Sequence, residues 1–341
     1  MKSLLAKAGA VLLAAPLALV VVQGAPQSTT AGGLAHNAAF VARAHAAFTK
    51  YMSAHANAIV PKNEWVSPTD EATAAKAANG TVTSLPSINW SGFADVESST
   101  TTLSSVSGTW RMPYVQCLPH PYQNQDAFLA NWVGLDGATN GTVEQLGSAV
   151  QCYEDVEFYY VWYEMFPAGT VEEGTAACIN NNTDCPQPGD EISASVTVTP
   201  GTSGNNDYVL ALTDHTRPQE SFSTSQTCAA TTCLDQSAEW ILERPAFSLP
   251  FGFQILPLAD YRDTGFQSAH ETSGGHAGSI GSFQDGPIYN IDMQDDSTSY
   301  YLDCVGQRAP IGSLLTVSPN QCPLVGPGHH GQFYALWDSS F

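Results

Sequence analysis

From about residue 86 onward, the chain alternates short runs of β-branched and aromatic residues with clusters of Gly, Pro, Asn, Asp and Ser. Such runs are typical of strands joined by turns, and a helical period is weak in this part of the chain. The pattern predicts an all-β fold, an antiparallel β-sandwich of the jelly-roll, concanavalin A-like class. The clearest predicted strands are 106–110, 128–135, 157–165, 192–199, 208–213, 238–243 and 332–337.

The first 84 residues differ in kind from the rest. Residues 1–24 join Lys2 and Lys7 to an apolar run that is too short to span a membrane well. They predict a secretory signal peptide, and hence a secreted protein. Residues 25–84 are rich in alanine and are predicted to form a prosegment, which leaves residues 85–341 as the β-sandwich domain.

The predicted prosegment contains an amphipathic pattern. Its residues Phe40, Ala44, Phe48 and Tyr51 recur at helical spacing, so the segment is predicted to be partly helical. It carries basic residues but no acidic residue before Glu64, so at neutral pH it would dock on an acidic domain and loosen as carboxylates take up protons. It is therefore a candidate intramolecular inhibitor. A disordered linker without a regulatory role is the alternative.

Charge is distributed unevenly along the chain. From residue 85 onward there are 29 acidic residues, five arginines and no lysine. Nucleic acid and an anionic membrane surface would both be repelled by such a domain, so neither is an expected partner. The complete loss of lysine exceeds what solubility requires, and it favours adaptation to acid, because much of the repulsion disappears near pH 3 to 4, roughly where Asp and Glu titrate.

Eight cysteines in a chain predicted to be exported favour disulfides over free thiols. They stand at Cys117, Cys152, Cys178, Cys185, Cys228, Cys233, Cys304 and Cys322. Eight cysteines allow 105 connectivities, but Cys178 with Cys185 and Cys228 with Cys233 are close enough in sequence to close loops. Pairs 117–152 and 304–322 would follow by elimination. The paired CxxC spacing of a metal cluster is absent from the sequence.

Period-two alternation assigns the side chains of each predicted strand to two faces. Trp162 and Glu164 share a face opposite Val161 and Tyr163, and Glu239 projects away from its apolar neighbours. Polar and aromatic groups therefore collect on one surface. The residues predicted to line a cleft there are Trp132, Asp136, Gln145, Trp162, Glu164 and Glu239.

Five motifs follow one another between residues 88 and 270. They are Asn89-Trp90-Ser91-Gly92, Ala130-Asn131-Trp132-Val133-Gly134-Leu135-Asp136-Gly137, Val143-Glu144-Gln145-Leu146-Gly147, Val161-Trp162-Tyr163-Glu164-Met165-Phe166-Pro167 and Ser237-Ala238-Glu239-Trp240-Ile241. Together they resemble the glutamic peptidases, or eqolisins, whose pattern is NWxG, AWVGxDG, xxQxG, WYExxP and AExI. Two features depart from that pattern. Leu146 stands where fungal members commonly carry a small polar residue, and the chain continues beyond residue 286.

The resemblance implies a secreted endopeptidase that acts on polypeptides at acid pH, as a monomer, without a metal or organic cofactor. Glu239 is expected to be the general base and then the general acid, and Gln145 to orient the water and stabilise the oxyanion. At acid pH a carboxylate suits the role of base, since histidine would be protonated. The residues expected to bind substrate or support the pair are Trp90, Trp132, Asp136, Trp162 and Glu164.

Two other classes of function remain open on the sequence. Jelly-roll glycoside hydrolases place two carboxylates around the scissile bond, and Glu164 with Glu239 would be that pair. A lectin-like carbohydrate-binding module would use the same aromatic cleft without catalysis. A prosegment favours the peptidase, because secreted peptidases need a latent precursor and most glycosidases and lectins do not.

Two weaker motifs are set aside. The sequence Asp263-Thr264-Gly265 matches the signature of pepsin-like aspartic peptidases, but no second copy occurs in the chain, so a turn is predicted there. His270, Glu271 and His276 lack the i, i+4 histidine spacing of helical zinc ligands, and the glycines between them predict a loop.

Overall fold

The computed structural model describes residues 59–60, 74–77, 80–98, 101–117, 127–153, 156–181, 184–249, 252–261, 263–283, 286–294, 301–306 and 332–337. The predicted signal peptide, the helical pattern of residues 40–51 and Cys322 lie outside the described residues. The predictions for them stay predictions.

The described chain consists almost entirely of strands, with one short α-helix, α1 (Ala176–Asn181), and one 3-10 turn (Pro218–Glu220). In chain order the strands are β1 (Ile59–Val60), β2 (Ala74–Ala77), β3 (Gly80–Ser87), β4 (Trp90–Val96), β5 (Leu103–Arg111), β6 (Ala127–Leu135), β7 (Val143–Tyr153), β8 (Val156–Phe166), β9 (Val171–Glu173), β10 (Glu191–Pro200), β11 (Asn205–Asp214), β12 (Phe222–Ala229), β13 (Ser237–Glu243), β14 (Ala246–Leu249), β15 (Gly252–Ile255), β16 (Asp263–Ser273), β17 (His276–Ser279), β18 (Ile288–Gln294), β19 (Tyr301–Gly306) and β20 (Phe333–Trp337).

Two sheets pack face to face as a sandwich. The first, called the site sheet, has the order β9-β8-β7-β6-β13-β4-β18-β3-β2. The second, called the back sheet, has the order β12-β11-β10-β5-β16. Strands β19 and β20 connect β18 to β16 at one end. These pairings are antiparallel except that of β18 with β3. The predicted all-β sandwich is confirmed.

The hydrophobic core lies between the inner faces of the two sheets, where alternate residues of each strand are buried. Two tryptophans also bridge the sheets by hydrogen bonds. Trp110 Nε1 of the back sheet donates to Ser148 Oγ of the site sheet (2.8 Å), and Trp240 Nε1 of the site sheet donates to the Ser107 carbonyl (2.8 Å). Both rings are fully buried, so each contributes its large apolar surface to the core while its N–H group is satisfied.

A glycine of the first motif is required by close backbone packing. Gly92 lies in β4 with φ of 137°, a conformation that residues with a Cβ rarely adopt. A Cβ atom at this position would collide with the Trp240 carbonyl on β13. Only glycine lets β4 approach β13 closely here, and β13 is the strand that carries Glu239.

Short strands from the predicted prosegment are paired with the domain. Strand β1 pairs with β14, in a small sheet that also contains β15, and β2 pairs with β3. Strand β3 crosses the predicted boundary at residue 84 and buries Val82 in the core. This part of the N-terminal segment is thus integrated into the sandwich.

Three of the predicted disulfides are present: Cys117–Cys152, Cys178–Cys185 and Cys228–Cys233. The first pins the segment before β6 to β7, and the other two close loops of seven and five residues. In unfolded chains the longer loop loses more entropy on closure, so we expect the 117–152 bond to contribute most to stability.

The seven strands predicted most clearly all occur, within a few residues at each end. The turn predicted at residues 263–265 is wrong, because they open the long strand β16. The loop predicted around His270 is also wrong, since β16 and β17 form a hairpin there and the glycines supply only its turn. Among the described residues, no helix has the length and apolar character needed to cross a membrane.

Candidate active site

Four residues lie side by side across the site sheet. Glu239 of β13 pairs with Gly134 of β6, and Gly134 pairs in turn with Gln145 of β7. The next partner of Gln145 is Glu164 of β8. Directly paired residues project from the same face of a sheet, so the three side chains share one face, called the site face. Since adjacent strands are about 4.8 Å apart, the backbones of Glu239 and Gln145 are separated by about 10 Å.

Gly134 keeps the space between Glu239 and Gln145 free of a side chain. A Cβ atom at this position would lie 3.0 Å from Trp132 Cζ3 and 3.1 Å from Gln145 Cβ. Both distances are tighter than ordinary contacts. The glycine of the second motif therefore lets the Trp132 ring edge and Val143 pack over β6 between the two catalytic candidates. This position, which has no side chain of its own, is called the gap.

The Gln145 amide is held by a carboxyl group. Gln145 Nε2 donates to Glu164 Oε2 (2.9 Å), and Thr170 Oγ1 donates to Glu164 Oε1 (3.3 Å). Gln145 Oε1 is buried and has no hydrogen-bond partner among the described residues. Burial raises the pKa of Glu164 well above its ordinary value, and the charge of Glu243 adds to this effect. The amide thus has a fixed orientation, with one oxygen and one N–H group left for a ligand.

Glu239 is fully buried on the other side of the gap. Its Oε1 accepts the Ala138 N–H group (3.3 Å), whereas its Oε2 has no partner in the described part of the chain. Burial raises the pKa of this carboxyl well above its ordinary value, and the charge of Asp136 raises it further. Two buried oxygens, one on Glu239 and one on Gln145, therefore need a donor in this region.

Asp136 supports Glu239 through the backbone. Its carboxylate accepts the N–H groups of Leu234 (2.6 Å), Asp235 (3.0 Å) and Gln236 (2.9 Å), which lead directly into β13. Asp136 itself has φ of 67°, so the chain turns sharply after β6 and brings the Ala138 N–H to Glu239. Its oxygens face this loop, so its role is to fix β13 rather than to contact a ligand directly.

The three tryptophans predicted for the site also lie on the site face and are buried. Trp90 and Trp132 pack edge to face with ring centroids 5.0 Å apart. Trp162 pairs with Gly147, which pairs in turn with Trp132, so these two rings stand on either side of a second glycine. The site face is therefore aromatic next to the Gln145 row.

Sequence reasoning missed Glu243. This buried carboxyl lies on β13 four residues beyond Glu239, and period-two alternation places both on the same face. Its Oε2 accepts the Trp132 indole N–H (2.8 Å) and its Oε1 accepts the Asn89 side-chain N–H (3.3 Å). The alternation can be read from the sequence. The two contacts cannot, because Trp132 and Asn89 are 111 and 154 residues away from Glu243 along the chain.

One group of carboxylates has the spacing of a metal site. Oxygens of Asp136, Glu144 and Asp235 lie within 4.8 Å of one another and all three residues are buried. Asp136 already accepts three N–H groups, and Asp235 accepts Tyr208 Oη (2.7 Å) and Asn206 Nδ2 (2.8 Å). Burial and these two charges raise the pKa of Glu144 to about 10. Protonation of Glu144 therefore reduces the repulsion among the three carboxyl groups.

The arrangement does not suit a two-carboxylate glycosidase. Glu164 is three strands away from Glu239, and both of its oxygens are occupied by Gln145 and Thr170. A glycosidase needs two carboxyl groups about 5 to 9.5 Å apart and free to reach the sugar. The group that shares the gap with Glu239 is the Gln145 amide.

The chain matches one protein family in sequence and is similar to solved structures. The model of the Peptidase A4 family matches residues 88–308, which is more than half of the chain and extends beyond the last motif. Aspergilloglutamic peptidase from Aspergillus niger is 23% identical, with a TM-score of 0.40, over 62% of this chain and 99% of that chain. A mutant of alginate lyase Aly36B, in complex with alginate trisaccharide, is 8% identical, with a TM-score of 0.24, over 55% of this chain and 88% of that chain.

No curated protein matches the chain in sequence. The family match spans all five motifs and includes each residue of the row across the site sheet. The chain therefore belongs to the Peptidase A4 family, the glutamic peptidases, and is a hydrolase of peptide bonds.

Proposed function

We propose that this protein is a secreted endopeptidase that cleaves polypeptides at acid pH by means of one water molecule held between Gln145 and Glu239. The observation that carries the proposal is their arrangement on either side of Gly134, on one face of the sheet. Each has one buried oxygen without a partner among the described residues. A water that donates to Gln145 Oε1 and to Glu239 Oε2 would satisfy both.

Hydrolysis then needs only these two side chains. Ionised Glu239 accepts a proton from the water while the water oxygen attacks the peptide carbonyl carbon. The oxyanion of the tetrahedral intermediate accepts the free N–H of Gln145, whose orientation Glu164 fixes. Protonated Glu239 gives its proton to the leaving nitrogen, the C–N bond breaks, and the carboxylate is restored.

The raised pKa of Glu239 serves both halves of this cycle. A buried carboxylate is a stronger base toward the water than an exposed one, and once protonated it holds the proton until the nitrogen of the tetrahedral intermediate accepts it. Polar groups of water and substrate that enter the gap reduce the desolvation of Glu239, and this lowers its pKa toward the acid range in the complex.

The charge of the domain supports action at acid pH. With 29 acidic residues and no lysine after residue 84, the domain repels itself least when many carboxyls are neutral. Gln145 does not titrate, so the oxyanion donor is available throughout the acid range.

A latent, secreted precursor agrees with further observations. Glu239 and Gln145 are fully buried in the full-length chain, so a polypeptide reaches them only after part of the protein moves. Strand β1, from the predicted prosegment, pairs with β14, which follows the Glu239 strand directly. Three disulfides are typical of proteins exported to an oxidising compartment. The prosegment acts as an intramolecular inhibitor, and the processed enzyme acts as a monomer.

The test compares the wild-type chain with Glu239→Gln after incubation at acid pH, using denatured casein as substrate and xylan as the alternative. We expect wild type to cut casein and leave xylan intact, and Glu239→Gln to cut neither, because an amide does not accept the water proton. The same incubation reports self-processing through the mass of the chain.

The matched control is Ser195→Ala on the back sheet, which removes a polar side chain far from the site face. It should behave as wild type. Casein cleavage by Glu239→Gln within tenfold of wild type would refute the proposed mechanism, and cleavage of xylan would refute the proposed substrate.

A further inference from the structure

We propose that Glu243 is a positioning residue for peptide hydrolysis, whose carboxyl fixes the Trp132 ring over Gly134, between Gln145 and Glu239. This inference rests on the proposed function of that pair. Glu243 does not adjoin the gap itself, since it lies four residues along β13 from Glu239.

The contacts of Glu243 account for its burial. It is 1% exposed, and both of its oxygens accept hydrogen bonds, from Trp132 Nε1 (2.8 Å) and from Asn89 Nδ2 (3.3 Å). Asn89 and Trp132 belong to the first and second motifs. A single carboxyl thus joins two segments that frame the site, and one of them is the strand that contains Gly134.

Trp132 transmits this constraint to the gap. Its ring edge, Cζ3, would be 3.0 Å from a Cβ atom on Gly134, so the ring lies directly over this glycine, between Gln145 and Glu239. The ring also packs edge to face against Trp90, whose Cη2 would lie 3.1 Å from a Cβ atom on Gly137, the residue before Ala138, whose N–H binds Glu239. If the indole rotated about its bond to Cβ, both the gap and the Glu239 contact would change.

The chemistry of a carboxyl suits this task. Burial raises the pKa of Glu243 to about 7, so in the acid range the group is neutral and adds no charge beside Glu164. A neutral carboxyl still offers an acceptor oxygen to the Trp132 N–H group, as the amide oxygen of glutamine would. An apolar side chain would leave the Trp132 N–H group buried without an acceptor, which favours a different ring position.

The test is a double-mutant cycle between Glu243 and Trp132, with kcat and KM measured on a peptide substrate at acid pH. We expect Glu243→Leu to lower kcat at least tenfold with KM within threefold of wild type, because a displaced gap wall affects the reaction more than binding. Glu243→Gln retains an acceptor for Trp132 and should restore kcat to within threefold. In a Trp132→Phe background, which lacks the indole N–H, Glu243→Leu should lower kcat by less than twofold more.

Two results would overturn the inference: kcat of Glu243→Leu within twofold of wild type, or an equal loss of kcat in both backgrounds.

If the Leu variant does not fold, Glu243→Met removes the acceptors with less change of shape. The indole N–H proton resonance of Trp132, identified by its loss in Trp132→Phe, gives an independent readout. It should move upfield in Glu243→Met and stay within the wild-type range in Glu243→Gln. An unmoved resonance in Glu243→Met also overturns the inference. Activity of Glu239→Gln would instead refute the proposed function, so the two failures are distinguishable.

Discussion

The two outward faces of the sandwich both carry polar residues, but of different kinds. On the site face the polar side chains are buried carboxyls and amides, and several bind specific partners, as Gln145 does with Glu164 and Glu243 with Trp132. The outward face of the back sheet, called the hydroxyl face, carries small hydroxyl residues around a groove of about 270 Å³. The residues that line this groove are Ser107, Gly108, Thr109, Ser193, Ala194, Ser195, Ala211, Thr213 and Ser268.

The hydroxyl groups bond mainly to one another and to neighbours. Ser105 Oγ donates to Thr272 Oγ1 (2.9 Å), and Ser193 Oγ lies 3.1 Å from Thr109 Oγ1 and 2.9 Å from His215 Nε2. Hydroxyls do not titrate in the working range, so most of this face has the same state at every pH. The site face changes its protonation state with pH. Polarity alone therefore does not mark a reactive surface, whereas burial of titratable groups does.

The largest contrast between the faces is expected in turnover. Gln145→Ala removes the proposed oxyanion donor, and loss of one such donor typically costs about 2.7 to 4 kcal/mol, or about 10²- to 10³-fold in kcat. Ser195→Ala on the hydroxyl face should leave kcat within twofold of wild type. Steady-state cleavage of a peptide at acid pH measures both. Similar losses in the two variants would remove the distinction between the faces.

The second contrast concerns stability against pH and compares a buried with an exposed carboxyl. Glu144 is next to Gln145 in β7, so it projects from the opposite, inner face of the site sheet. Burial raises the pKa of Glu144 to about 10, so the folded protein holds a proton there that the unfolded chain releases near pH 4.5. The stability from this group is present below pH 4.5 and falls as pH rises through neutrality, by about 3 kcal/mol at pH 7 from this one carboxyl. Glu144→Gln, which is permanently neutral, should flatten the fall of melting temperature between pH 4.5 and 7 without lowering it at pH 4.

The matched control for this measurement is Glu191→Gln on the back sheet. Glu191 is 39% exposed and pairs with Arg111 at 2.8 Å, a surface arrangement that contributes little. The slope of melting temperature with pH should stay that of wild type in this variant. An unchanged slope in Glu144→Gln would contradict the assignment of the pH sensitivity to the buried carboxyls.

A third, smaller effect distinguishes the structural role of Asp136 from the catalytic role of Glu239. Asp136→Asn replaces a charged acceptor of three N–H groups by a neutral one, and we expect a loss of about 2 kcal/mol in the free energy of unfolding in urea at acid pH. Because the charge of Asp136 raises the pKa of Glu239, its removal should also move the acid limb of kcat to lower pH. A shift to higher pH would contradict this reasoning.

The smallest effect is expected on the hydroxyl face. Ser193→Ala removes contacts to Thr109 and His215 at a surface where water replaces them, so the free energy of unfolding should change by less than about 1 kcal/mol. Urea titration at pH 4 checks this. A loss equal to that of Asp136→Asn would mean that the hydroxyl network stabilises the sandwich as strongly as the site support does.

Much of this comparison was predictable from the sequence, because alternation and turn residues are local signals. They predicted Trp162 and Glu164 on one face and Val161 with Tyr163 on the other. In the structure Trp162 belongs to the aromatic cluster on the site face, whereas Val161 and Tyr163 pack in the core between the sheets. Local signals failed at residues 263–265, where a Gly-containing motif resembles a turn but the distant strand β20 supplies strand partners for all three residues. Pairing with distant strands overrides such local preferences.

The site itself was only partly predictable. The motif glycines and the Gln145 and Glu239 positions are visible in the sequence, since the five motifs occur in order. Glu243 carries no motif of its own, and its role depends on Trp132 and Asn89 reaching it from two other strands. Such a contact follows from strand order, which alternation does not specify.

The parallel pairing of β3 with β18 has a consequence for maturation. A proteolytic cut after residue 84 would sever β3 between the third and fourth of its six partners on β18 and leave the fragment with Val82 buried in the core. Removing that fragment would leave a cavity in the hydrophobic core and an unpaired edge on β18. Activation that preserves the sandwich must therefore cut the chain before Gly80. Edman sequencing of the acid-activated enzyme should find a first residue at or before position 80.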